Sequence, residues 1–239
     1  RGDLTPAQPP ARTMKKSVPG KPIVISSHYK QFYVCGGRIF LGPGRFQCAC
    51  TFSVIILTTV TFMHSSGPFL VSIGCANFFL PSTAILLLLS LYFLARTAFC
   101  DPGIIPRRDL GIEERFLEPH PNNLAKGVII HGQVVTLKFC RTCRHFRPPR
   151  CSHCRHCDNC VERFDHHCPW IGNCVGIRNY RWFLLFSTTC SLLTLQVFFL
   201  VMADLIAFAS AAPPNPEIAT AADLLLYTII CRPAAFAVL

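Results

Sequence analysis

At 239 residues the chain is long enough for one or two ordinary domains, but 51% of it is hydrophobic and only 15% charged, which excludes a typical soluble globular protein. The formal charge of +11, from 23 Lys and Arg against 12 Asp and Glu, would suit nucleic acid. The charges avoid long apolar runs that no soluble DNA-binding domain carries, so the implied partner is a lipid bilayer and not nucleic acid. The 15 cysteines fall into Cys-x2-Cys pairs among basic residues, which reads as metal binding in a reducing compartment rather than a disulfide framework.

The chain opens Arg1-Gly2-Asp3 without an initiator methionine, so a fragment of a longer protein is expected. Residues 1–22, rich in Pro, Gly, Lys and Arg, predict disorder, and they hold no apolar run of the kind a cleavable signal peptide needs. His28 to Phe40, with Tyr29, Phe32 and Tyr33 around Gly36-Gly37, is too short to span a membrane. It fits either an interfacial aromatic patch or an ordinary loop. Gln47 to Met63 is an uncharged first span, and His64-Ser65-Ser66-Gly67-Pro68 predicts a tight turn. Phe69 to Ala95 is the second span, with Pro81 expected to kink it or to mark where its firmer half begins.

Val128 to Ile130, His131-Gly132 and Gln133 to Phe139 predict a β-hairpin that delivers Cys140-x2-Cys143. Trp182 to Ala209 is the third span, interrupted only by Asp204. A Pro-rich turn over Ala211 to Thr220 leads to Leu224–Leu239, the start of a truncated fourth span. Eight Lys and Arg lie at positions 1–45 and fourteen from Arg96 to Arg181, with none at 64–68 or 210–222. The positive-inside rule puts the N-terminus and the cysteine-rich stretch in the cytosol. The expected fold class is an α-helical polytopic membrane protein. A cytosolic N-terminal segment (1–45) precedes helices one and two (46–95). A two-zinc domain of short strands and loops (96–181) follows, then helix three, a lumenal turn and the start of helix four (182–239).

Eight cysteines and five histidines crowd residues 140–174. Thiolate and imidazole at two-residue spacing are what a tetrahedral Zn²⁺ takes, and two four-coordinate ions need only eight of these thirteen groups. One surplus thiol, Cys168, directly follows Asp165-His166-His167, and a thiol beside an imidazole is a candidate nucleophile. The spacing equally allows a purely structural zinc module, such as a membrane-bound ligase-type adaptor. Nor does it say which of His166 and His167 is base and which is ligand.

The string from Cys140-Arg141-Thr142-Cys143 through Arg147-Pro148-Pro149-Arg150 to Asp165-His166-His167-Cys168-Pro169-Trp170 and Asn173-Cys174 resembles the DHHC protein S-acyltransferases, the protein palmitoyltransferases. Asp101-Pro102-Gly103, Asn179 and Phe183 fit the same pattern. The resemblance implies two structural zinc ions with interleaved ligand sets: Cys140, Cys143, His153 and Cys160 for one, and Cys154, Cys157, His167 and Cys174 for the other. It makes Cys168 the acyl-accepting nucleophile, His166 its general base and Asp165 the group that orients the imidazole. The donor it implies is a long-chain acyl-CoA such as palmitoyl-CoA, and the acceptors are cytosolic-face proteins with juxtamembrane cysteines.

Arg147 and Arg150 are candidates for the CoA phosphates, with a solvated turn around Pro148-Pro149 as the other reading. The resemblance also implies an acyl cavity among the helices: counted from Asn179 in the family's frame, Leu193, about 16 Å along the helix from Trp182, matches the position that helps close its far end; a plain packing or lipid-facing leucine is the alternative. Cys151 receives no chemistry, and His145 and His156 read as surface groups or as groups standing behind the metal ligands. The family's Thr-Thr-x-Glu motif after the fourth helix is missing from these residues, so a truncated, inactive relative or a non-catalytic zinc-binding adaptor is the alternative function. Some members of the branch with Arg-Pro-Pro-Arg-Cys-Ser-His-Cys need an accessory subunit, and Golgi or endoplasmic reticulum is the family's usual membrane.

Overall fold

The computed structural model describes residues 32–34, 39–107, 124–130 and 132–211. A short antiparallel hairpin, β1 (Phe32–Val34) and β2 (Ile39–Leu41), leads into helix α1 (Arg45–Ser72), followed by α2 (Ala76–Ala98). The stretch read as a patch or a loop is therefore paired, and Phe40 is buried where its N–H donates to the Phe99 carbonyl at 3.0 Å. A third helix, α3 (Tyr180–Ala211), closes the described chain. The three helices hold 28, 23 and 32 residues. At about 1.5 Å per residue each exceeds the roughly 30 Å of a bilayer's hydrocarbon core. All three are long and apolar enough to cross a membrane. Their outer faces carry Phe78, Leu88 and Phe199 in the open, a surface suited to lipid.

The turn expected at 64–68 is not there. Helix α1 runs through it to Ser72, with Pro68 inside. Pro68 deprives one carbonyl of its partner, yet in lipid a single lost bond costs less than opening a whole turn of backbone. Ser66, fully buried, also ties this turn to α3 by donating to Asp204 Oδ2 at 2.7 Å. The helix ends instead at Gly74, whose φ of 74° only glycine takes freely. There Cys75 N–H bonds the Leu70 carbonyl and Gly74 N–H that of Val71, both at 3.0 Å, a Schellman closure. The second span consequently starts at Ala76 and not at Phe69. The fourth span at Leu224–Leu239 lies outside the described residues.

Inside the bundle Phe62, Leu70, Leu193, Val197, Val201 and Leu205 form one apolar cluster. Gln196 of α3 reaches Ser82 Oγ at 2.9 Å and Thr83 Oγ1 at 2.8 Å on α2. Asp204, read as an interruption of the third span, is thus a polar tie between α3 and α1.

Between α2 and α3 lies a module of short strands: β3 (Ile104–Ile105), β4 (Ala125–Ile130), β5 (Gln133–Cys140), β6 (His145–Phe146), β7 (Ser152–Cys154), β8 (Asn159–Val161), β9 (His166–Cys168) and β10 (Asn173–Val175). The expected hairpin is present as β4–β5, with Ile130 opposite Gln133 and Gly132 at φ 77° in the turn. Two fully buried asparagines lock the module to the end of α2, whose last carbonyls have no helical partner. Asn173 Nδ2 donates to Ala98 O at 3.1 Å and Cys100 O at 3.0 Å, and Asn179 Nδ2 to Thr97 O at 3.1 Å and Cys174 O at 2.8 Å. Asp101 adds a tie through its Oδ1, which accepts from Gly103 N and Ile104 N, while its Oδ2 pairs with Arg178 at 2.6 Å. On the other side Gly44 and Gly172 meet backbone to backbone: a Cβ on Gly172 would fall 2.2 Å from the Gly44 carbonyl oxygen.

Candidate active site

The strand register arranges the donors. Opposite one another in β7–β8 stand His153 and Cys160, and in β9–β10 His167 and Cys174. The ligand atoms of Cys140, Cys143, His153 and Cys160 lie within 4.8 Å of one another, as do those of Cys154, Cys157, His167 and Cys174. Both Cys-x2-Cys knuckles turn alike, the residue after each pair (Arg144 and Asp158) having φ of 54°.

Each cluster matches a tetrahedral metal. With Zn–S near 2.3 Å and Zn–N near 2.0 Å, the S···N edges of a tetrahedron are about 3.5 Å and the S···S edges about 3.8 Å. His153 Nδ1 stands 3.6, 3.4 and 3.9 Å from the sulfurs of Cys140, Cys143 and Cys160. In the second cluster His167 Nδ1 stands 3.3 and 3.6 Å from Cys157 and Cys174, whose sulfurs are 3.4 Å apart.

The donor chemistry agrees. Cys143 is held down to about 3 by hydrogen bonding with Cys160, whose own thiol is pushed up by the same neighbour. Likewise Cys154 falls through Cys157 while Cys174 rises beside Cys154. Sulfurs this close must share protons, and a divalent cation takes the place of those protons. The clusters can therefore each bind a metal ion, with three sulfurs and one nitrogen that suit zinc. His153 Nε2 faces Asp158 at 3.5 Å, and Arg107 binds Asp158 in turn, an outer layer that orients the ring. His156 stacks on His167 with ring centroids 4.8 Å apart. His145 and Cys151 lie beside the first cluster: contact with Cys143 raises His145, and contact with Cys160 lowers Cys151.

Alternation along β9 separates the three consecutive side chains. Successive residues of a strand point to opposite faces, so His167 turns to its cluster while His166 and Cys168 share the other face. His166 Nδ1 bonds Asp165 Oδ2 at 2.8 Å, and its ring meets Phe183 of α3 edge-on at 5.1 Å. Cys168 is 7% exposed and belongs to an apolar cluster with Cys48, Leu94, Ala98, Ile171 and Val175, flanked by Phe52, Phe183 and Phe186. Its thiol thus sits at the head of the helix bundle. Thr51 Oγ1 donates to the Trp170 carbonyl at 2.7 Å, holding α1 against the turn that follows.

Next to Asp165 opens a cavity of about 710 Å³ lined by Arg150, Arg163, Arg178, Arg181 and Tyr180 among others. Arg150 takes its place through a left-handed backbone at φ 63°. Arg147 is not among the lining residues; it follows β6, where its N–H bonds the Lys138 carbonyl. The sequence did not single out Arg163, Arg178, Arg181 or Tyr180, which converge only through the fold. Leu193 is 4% exposed and packs inside the bundle, so it does not face lipid.

Residues 133–238 match the family model described as DHHC palmitoyltransferase. Palmitoyltransferase ZDHHC18 of Rattus norvegicus is 39% identical over 186 residues, 73% of this chain and 47% of the rat protein. Palmitoyltransferase ZDHHC9 of Danio rerio is 42% identical over 184 residues, 71% of this chain and 47% of its own length. Palmitoyltransferase ZDHHC18-A of the same species is 43% identical over 187 residues, covering 74% and 39%. The chain spans about half the length, or less, of these curated relatives.

Proposed function

We propose, from the match of residues 133–238 to the DHHC palmitoyltransferase model and from three helices able to cross a membrane, that this chain belongs to that family and is a protein S-acyltransferase that carries a long-chain acyl group from acyl-CoA to protein cysteines through Cys168. The observation that carries the reading is the Asp165–His166 hydrogen bond on the strand that brings Cys168 to the head of an apolar bundle. With Nδ1 engaged by Asp165, His166 has Nε2 left to take the Cys168 proton, and the carboxylate stabilises the imidazolium that forms. The thiolate attacks the thioester carbonyl of acyl-CoA, the C–S bond to CoA breaks, and the departing sulfur recovers the proton from His166. In the second step a substrate cysteine gives its proton to the same imidazole and takes the acyl group, and Cys168 is reprotonated. One thioester replaces another, so positioning contributes more than driving force.

Zinc held by the two Cys₃His sets would fix the loops around Cys168 without entering the chemistry, since every ligand position is filled by protein. The arginines beside Asp165 suit the phosphates of CoA, with Arg150 in this role and Arg147 outside the cavity lining. In this reading the cysteine-rich module faces the cytosol, a fourth helix follows α3, and the acceptors are juxtamembrane cysteines. Residence in Golgi or endoplasmic reticulum and an accessory subunit belong to the same reading. The test is release of free CoA thiol when the purified chain meets palmitoyl-CoA. No release from a metal-replete preparation would leave a non-catalytic zinc-binding adaptor.

Leu193 would close the deep end of the acyl path. Leu193→Ala is expected to shift preference toward longer acyl-CoAs and Leu193→Trp toward shorter ones, by about 1–3 kcal/mol at most per methylene. Competition between C14, C16 and C18 donors reads this out. Identical profiles in all three proteins would remove Leu193 from the path.

A further inference from the structure

At the end of α2 and the start of α3, Trp182 carries two guanidinium groups. The Arg96 guanidinium carbon lies 4.4 Å from its ring centroid and that of Arg181 4.6 Å. Phe93 stacks on the same indole at 6.1 Å, and Tyr92 meets it edge-on at 6.5 Å while accepting a hydrogen bond from Arg96 Nη1 at 3.2 Å. Both arginines are exposed, and among the described residues neither pairs with a carboxylate: Asp101 goes to Arg178 and Asp158 to Arg107. Stacking on an aromatic ring leaves the in-plane N–H donors of a guanidinium facing outward. Arg96 uses one of them, on Tyr92.

The cluster sits where the apolar helices meet the strand module, the level at which Trp and Tyr mark a membrane–water boundary. It borders the cavity beside Asp165, which Arg181 also lines, whereas Arg96, Tyr92 and Trp182 stand outside that cavity. We propose that Arg96 and Arg181, stacked on Trp182, bind the phosphate of an anionic phospholipid in the leaflet nearest the module. Guanidinium donors stacked on an interfacial aromatic suit phosphate oxygens, and the exposed apolar flank of α2, with Leu88 and Leu89 one turn deeper than Tyr92 and Phe93, suits the acyl chains of such a lipid.

The test uses the full chain purified in dodecyl maltoside and native mass spectrometry with three probes: dioctanoyl phosphatidate, dioctanoyl phosphatidylcholine and glycerol 3-phosphate. Phosphatidate adducts are expected to exceed phosphatidylcholine adducts, and glycerol 3-phosphate is expected not to displace them. Arg96→Gln should weaken phosphatidate binding by about fivefold, leaving phosphatidylcholine adducts and the metal count unchanged. Equal phosphatidate binding in wild type and Arg96→Gln would overturn the proposal, as would displacement by glycerol 3-phosphate, which would assign the site to free phosphate. Should Arg96→Gln lose its metal, the wild type alone decides. Phosphatidate adducts must then fall as ionic strength rises, and insensitivity to salt would overturn the site.

Discussion

Cys168→Ser is expected to erase thioester labelling by a clickable palmitoyl-CoA analogue, and His166→Ala to lower its rate by about 10²–10⁴-fold, both with the metal content of the wild type. The serine keeps the shape of the site and its place in the cluster of Cys48, Leu94 and Ile171, but its hydroxyl is a far weaker nucleophile than a thiolate. The alanine at 166 removes the group that takes the proton, and general-base catalysis is worth about that factor. Neither residue lies in the two donor clusters, so neither change should release metal. Labelling of Cys168→Ser at the wild-type rate would remove Cys168 from the reaction. Loss of metal in His166→Ala would show that the two histidines had been assigned the wrong way round.

His167→Ala should reduce the metal content from about two ions per chain to about one and unfold much of the module. Binding of a structural zinc contributes roughly 10–16 kcal/mol to a small domain, whereas a whole domain is stable by only about 5–15 kcal/mol. Loss of even part of the metal's contribution is therefore decisive. Because His167 faces Cys174 across β9–β10, the strand that carries Cys168 loses its shape too, and activity goes with the metal. His167→Cys restores a fourth donor and is expected to recover the second ion. Native mass spectrometry counts the metals. Two ions retained in His167→Ala would exclude His167 as a ligand.

The cysteine spacing made two metal sites legible, because donor type is carried by residue type and by two-residue turns, while the division of the donors into two interleaved sets came from the family resemblance. What it left open was the choice between His166 and His167. That choice is made by strand alternation in β9 and its register with β10, and three residues are too few to display a period in sequence. The helices were legible as apolar runs, but their boundary was not. Ser65-Ser66-Gly67-Pro68 has the composition of a turn, yet the hydrogen bond from Ser66 to Asp204, 138 positions away, keeps it helical. Gly74, a single residue between apolar neighbours, carries the real end. The cavity arginines gave no signal because Arg163 comes from one segment and Arg178 and Arg181 from another at the start of α3, and only the fold brings them beside Arg150. The asparagines at 173 and 179 stood in the motif, but their work on the carbonyls of α2 needs the partner helix to be seen.

The most direct measurement is peptide-level mass spectrometry of the full wild-type chain, quenched soon after exposure to palmitoyl-CoA. The proposed chemistry predicts one acyl group per chain, removable by hydroxylamine, on the peptide that contains Cys168, with an equal amount of CoA thiol released. An acyl group found on another cysteine, such as the neighbouring Cys48, while Cys168 stays free throughout would contradict it.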